Sequence, residues 1–292
     1  MDMYPIVKIK TSDGLTLHGF LSEPKKPSKF IKINIHGTSG NFFYNDFYEP
    51  LINSANKLGI AHLTTNNRGT GVYEIEKGTP NHGASVELFE DCLKDIDAWI
   101  EFALSRGYEK IILEGHSFGT EKSVYYMEKG KYKDKIVGLI LLGFSDNVGT
   151  EEKYLKKIGK DYSDEARELV NKNEGHHLLS DIYGLAGELP ISAQTYLNFV
   201  SDGSENSKAL PLRKGRGLTF FQNIKVPILG VIGDKEDGEY TIIPIKNAIE
   251  LLKSENKLAE VFQIKNSNHG FEGKEKELVE IIEDFIKRRI LI

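Results

Sequence analysis

KIILEGHSFGTEKSV, residues 110–124, carries the reading of the whole chain. An apolar, isoleucine-rich run meets glycine, histidine, serine, phenylalanine and glycine, and helix-compatible residues follow. One reading is a sharp strand-to-helix turn with Ser117 at its apex. The other is a plain glycine-rich connection, and the surrounding elements have to decide between them.

Outward from this stretch the chain alternates. Upstream, "YPIVKIK" and "LTLHGFL" alternate apolar and polar residues around "TSDG", which predicts an antiparallel hairpin. A strand over 30–37, a helix over 47–58 and a strand over 60–67 follow. From Val86 to Ala103, residues Phe89, Leu93, Ile96, Ile100 and Ala103 are spaced by four and three, one face of a helix that ends near Gly107. Downstream the spacing predicts a helix over 117–128, strands over 136–142 and 226–232, a helix over 245–254, a strand over 259–264 and a final helix over 274–290. Strands alternating with helices imply the α/β class, with a mostly parallel central sheet flanked by helices. About 80 residues between Gly143 and Lys225 break the rhythm, too many for an ordinary link. They are expected to be a helical cap, residues 148–222, over a core formed by 1–147 and 223–292, at the sheet edge where open α/β folds place ligands.

Composition narrows the class. The 292 residues, 39% of them hydrophobic, suffice for one large domain with an insertion, and the formal net charge of −5 offers no basic surface for nucleic acid. Cys92 is the single cysteine, so an internal disulfide is excluded and a reducing compartment is expected. The N-terminal residues lack a basic segment followed by an apolar one, and no run of about 18 apolar residues occurs. A soluble, cytoplasmic protein with no membrane partner is expected. His176 and His177 have no companion carboxylate or cysteine at ligand spacing, and no nucleotide-binding glycine motif is present, so neither metal nor cofactor is expected.

In "EGHSFG", Gly115 and Gly119 flank Ser117 at two residues, the small neighbours that a serine on a strained turn needs. The helix that starts there aims free N–H groups and the positive end of its dipole at the hydroxyl. A serine hydroxyl becomes a nucleophile when a base takes its proton and a carboxylate orients that base. His269, in the polar loop of "VFQIKNSNHGFEG" after the last strand, is the expected base; the other histidines lie too early or in the wrong element. The loop "VIGDKEDGEY" offers the acid: Asp237 first, Glu236 as the alternative, Asp234 third. Backbone donors for a developing oxyanion are expected at Phe118 and, from "NIHGTSGN", at Thr38, with His36 bracing that loop.

With these features in this order, residues from about 30 to 290 resemble the α/β-hydrolase superfamily. "HGTSGNFFYNDF", "TNNRGTG", "PISAQTYLNF" and "GLTFFQNIKVPILGVIGD" resemble a capped subgroup that includes siderophore-ester hydrolases. The resemblance implies an esterase with a triad of Ser117, His269 and Asp237 or Glu236, and a buried structural role for Arg68. The acid loop is a residue longer than usual for the family. A small-molecule ester with an apolar portion is the expected substrate, and Tyr183, Tyr196, Phe199, Phe220 and Phe221 supply aromatic surface to the cap. Arg213, Lys214 and Arg216 are read as a solvated loop ahead of an anion site. A peptidase, amidase or thioesterase would use the same triad, the peptidase with a cap carboxylate such as Glu174 or Glu188. A ligand-binding protein on this scaffold would keep the pocket without the chemistry.

Overall fold

The computed structural model describes residues 5–75, 77–180, 185–201 and 203–291. A hairpin of β1 (Ile6–Lys10) and β2 (Thr16–Ser22) precedes β3 (Phe30–Ile35), α1 (Tyr48–Lys57), β4 (Ala61–Thr65), α2 (Cys92–Ser105), β5 (Lys110–His116), α3 (Phe118–Lys129) and β6 (Ile136–Leu142). Next come α4 (Asn147–Ile158), α5 (Ser163–Asn171), α6 (Ala193–Val200), α7 (Asn206–Ala209) and α8 (Thr219–Gln222). β7 (Ile228–Gly233), α9 (Ile245–Glu255), β8 (Ala259–Ile264) and α10 (Glu275–Arg289) complete the chain. The helix expected from Val86 begins instead as a single 3₁₀ turn at Phe89–Asp91 that runs into α2.

The strands form one sheet in the order β1-β2-β4-β3-β5-β6-β7-β8. β3 to β8 are parallel, while β2 joins β4 antiparallel and carries the hairpin at the edge. Both faces are covered, which explains why the central strands are nearly continuous in apolar residues. Ile111 and Leu113 of β5 enter a cluster with Trp99 and Tyr126 on one face. Ile112 enters the other, with Leu51 of α1 and Leu278 and Phe285 of α10. This period of two fixes the register, since a one-residue slip would exchange the faces.

From β3 the chain steps to β4 and then returns past β3 to β5, so the order in which strands are added reverses between β3 and β5. Neighbouring loops diverge at such a point and leave a crevice at the carboxyl ends of the strands. Thr38 follows β3 there, and Ser117 follows β5. No helix among the described residues is long and apolar enough to cross a membrane.

Candidate active site

Ser117 sits between the end of β5 and the start of α3 with φ 56° and ψ −127°. A non-glycine residue in such a conformation costs about 1–3 kcal/mol and persists where its surroundings enforce it. Here they do. The Ser117 N–H donates to the Leu142 carbonyl at 2.9 Å. Its own carbonyl accepts from Thr120 N–H at 2.8 Å and from the Thr120 hydroxyl at 2.7 Å. The flanking glycines are required by close approach: a Cβ at Gly119 would strike the Ile35 carbonyl oxygen, and one at Gly115 the carbonyl oxygen of Gly119.

Phe118 opens α3, so its N–H has no carbonyl a turn earlier within the helix. Thr38 lines the same cavity as Ser117. The loop that carries Thr38 is braced by His36, whose Nδ1 donates to the Gly37 carbonyl at 2.7 Å. His36 Nε2 accepts from Asn67 N–H at 3.1 Å and meets the Thr70 hydroxyl at 2.7 Å. Burial lowers the His36 pKa to about 3, which keeps the ring neutral in this bracing role.

His269 reaches the crevice from the loop after β8. Its ring stacks on Tyr240 with centroids 3.9 Å apart and planes at 17°. On the Gly143 side it leaves little room, since a Cβ there would lie 3.0 Å from His269 Cε1. The His269 carbonyl accepts from His116 Nε2 at 3.0 Å. His269 Nε2 is buried and has no hydrogen-bond partner among the described residues. Burial first, and the neighbouring His116 second, push the pKa of His269 down to about 3. The imidazole is therefore a free base at neutral pH.

The three acids expected near it have separate destinations. Asp234 accepts from Asn266 N–H at 2.7 Å and from Gln263 Nε2 at 3.1 Å, tying the ends of β7 and β8 together. Asp237 accepts from Ile245 N–H at 2.6 Å and so serves the exposed start of α9. Glu236 comes near the main-chain N–H of His269, and partial burial raises its pKa. Asp237, the acid expected first, is thus engaged by an N–H in the first turn of α9.

Ser117 and His269 line one cavity of about 160 Å³. Thr38 and Tyr240 also line it, and Glu151, Glu188 and Phe199 line it from the segment between β6 and β7. A second opening is lined by Ser117 and His269 together with Asn41, Tyr44 and Asn45. Of the aromatic residues expected around substrate, only Phe199 lines the cavity containing Ser117. Tyr196, Phe220 and Phe221 pack inside, and Tyr183 lies outside the described residues.

Arg213 is committed to Asp146, which accepts from both its side chain and its N–H, and to Glu152 at 3.3 Å. Lys214 and Arg216 are exposed. Arg68 is buried and paired with Asp95 at 2.8 Å, Asp91 at 3.0 Å and Asp13 at 3.1 Å, a structural clamp. His176 and His177 lie on the surface, and no group of three or more potential metal ligands occurs among the described residues.

Sequence reasoning missed Tyr240, Glu151 and Glu121. Glu121, one turn behind Ser117 in α3, accepts from Asn147 N–H at 2.8 Å, Asn147 Nδ2 at 2.6 Å and the Ser145 hydroxyl at 3.1 Å. Burial first, with the charge of Asp146 second, raises its pKa to about 8. Glu151 and Glu121 lie in stretches dense in lysine and glutamate, where a buried carboxylate has the same letters as a solvated one.

A family model described as "Protein of unknown function (DUF1749)" matches residues 81–286. No curated protein matches the chain in sequence. Among solved structures, Est1E from Butyrivibrio proteoclasticus with ferulic acid bound superposes with a TM-score of 0.69 at 17% identity, over 98% of this chain and 100% of that one. The α/β hydrolase GrgF from Penicillium sp. sh18 gives 0.65 at 16% identity, over 98% and 99% of the two chains. XC6422 from Xanthomonas campestris, described as an a/b serine hydrolase without lid, gives 0.59 at 14% identity, over 99% and 96%. These likenesses establish the α/β-hydrolase fold.

Proposed function

We propose that this chain, which belongs to the DUF1749 family, is a serine hydrolase that cleaves carboxylic esters. The observation that carries the reading is the shared cavity of Ser117 and His269: a serine held at φ 56° faces the same space as a buried, neutral histidine whose Nε2 lacks a partner among the described residues. In the proposed cycle His269 Nε2 takes the proton of Ser117 as Oγ attacks the ester carbonyl carbon. The N–H groups of Phe118 and Thr38 hold the oxyanion. Collapse expels the alcohol, which receives the proton from His269. Water, deprotonated by the same nitrogen, then releases the acid and restores Ser117.

Glu236 is the proposed orienting acid, supported by its approach to the His269 backbone, with Asp237 as the alternative. Residues 148–222 are read as a cap whose Phe199 and Leu185 give the substrate pocket an apolar wall. The finer likeness to siderophore-ester hydrolases and a cytoplasmic location rest on the sequence stretches and on the lone Cys92.

Labelling with a fluorophosphonate probe tests the reading, together with turnover of short-chain 4-nitrophenyl esters. Modification of Ser117, with both labelling and turnover lost in Ser117→Ala and His269→Ala, is the expected result. A folded protein that neither labels nor turns over any ester would refute it.

A further inference from the structure

Glu151 lies on α4 and is 1% exposed, yet it lines the cavity that holds Ser117. One carboxyl oxygen accepts the N–H of Ala186. The other, Oε1, is buried and has no hydrogen-bond partner among the described residues. An unpaired buried carboxylate oxygen forfeits its hydration and is among the costlier groups to keep in a fold. Burial accordingly raises the Glu151 pKa, and no cation among the described residues offsets that cost.

The rest of the lining has the same sign. Glu188 is exposed at the cavity, and neither lysine nor arginine lines it. Arg213, in the same segment, is held by Asp146 and Glu152. A site with two carboxylates and no fixed cation repels anionic ligands and attracts a positive one.

We infer that Glu151 is a specificity-determining residue that receives a primary ammonium group carried by the substrate, so that the preferred esters are those bearing a protonated amine. This rests on the hydrolase reading of Ser117. The ammonium supplies the donors that Oε1 lacks, and Glu188 adds charge at the rim. The opening beside Tyr44 leaves room for the remainder of an ester that spans Ser117.

The test measures binding of n-hexylammonium chloride and of n-hexanol, by isothermal titration, to the full chain as wild type, Ser117→Ala and Glu151→Gln. Glutamine keeps an acceptor for Ala186 and removes the charge. Wild type and Ser117→Ala are expected to prefer the ammonium over the alcohol, and Glu151→Gln to lose about tenfold or more of the ammonium affinity, the scale of a charged hydrogen bond. In parallel, kcat/KM is compared for the 4-nitrophenyl esters of 6-aminohexanoic acid and heptanoic acid, with a preference for the aminohexanoate that falls by a similar factor in Glu151→Gln.

Equal binding of ammonium and alcohol by the wild type overturns the proposal without recourse to a variant, as does undiminished ammonium binding by a folded Glu151→Gln. Ammonium selectivity that persists in Ser117→Ala, with no ester turned over by the wild type, would leave the subsite standing and overturn the hydrolase reading alone.

Discussion

The ring of Tyr240 lies flat on the ring of His269, 3.9 Å away, and closes one side of the imidazole to water. Both residues arrive on loops, one after β7 and one after β8, so this stack fixes the relative position of two segments that share no strand pairing there. Aromatic pairs of this kind contribute roughly 0.5–1.5 kcal/mol beyond area burial. Tyr240→Ala is expected to lower kcat/KM for esters about tenfold, by the upper end of that range. It also hydrates the ring. Since burial is what holds the His269 pKa near 3 in place of its ordinary 6.5, hydration moves the acidic limb of the pH profile of kcat/KM upward. Tyr240→Phe keeps the stack and should keep the wild-type profile; a profile unchanged in Tyr240→Ala would show that the stack does not set the basicity of His269.

The strain at Ser117 has a thermodynamic signature. Ser117→Gly removes the Cβ from a conformation at φ 56° and should raise stability by about 1 kcal/mol, read by urea unfolding, while abolishing turnover. Gly119→Ala has the opposite sign. Its methyl meets the Ile35 carbonyl, backbone that cannot swing aside, and a loss of roughly 1–3 kcal/mol is expected. A neutral Gly119→Ala would mean that α3 does not approach β3 as closely as described.

The acid loop separates stability from chemistry. Asp237→Asn weakens the bond to Ile245 N–H and should lower stability by the amount of a lost helix cap, about 1 kcal/mol, seen as a lower melting temperature, with turnover largely kept. Glu236→Gln should lower kcat by roughly 10²-fold or more if it orients His269, with little change in melting. The reverse pairing, turnover lost in Asp237→Asn and kept in Glu236→Gln, would return the orienting role to Asp237.

Glu121 links stability to pH. Its folded pKa of about 8 lies above the ordinary 4.5, so between these values the folded chain holds a proton that the unfolded chain has released. Unfolding then releases protons, and stability falls as pH rises from about 4.5 to about 8. Glu121→Gln, which cannot ionise, should flatten that slope in urea titrations at pH 5 and pH 8. An unaltered slope would assign the pH dependence to other groups.

Most of the fold was legible because period-two and helical spacings are local properties. Ile96, Ile100 and Ala103 marked the face of α2, and the apolar run before Gly115 marked β5. Ser117 was legible for the same reason, since its two glycines are neighbours in sequence. His269 followed from chain order. The acid was not resolved, because three carboxylates within four positions differ only in which distant partner each meets: Asn266, the start of α9, or His269. Glu151 and Tyr240 were silent for a similar reason. Their roles come from the path of a segment of irregular helices, which no periodicity predicts.

Asp146 and Arg213 stand at the two ends of an excursion of 67 residues, and their ion pair closes it like a clasp. β6 and β7, which the excursion separates in sequence, pair directly in the sheet. The part of the chain that shapes the pocket is thus decoupled from the part that sets strand register. Inheritance can lengthen, shorten or exchange this excursion while the scaffold beneath it stays intact, so divergence among relatives should concentrate between these two residues.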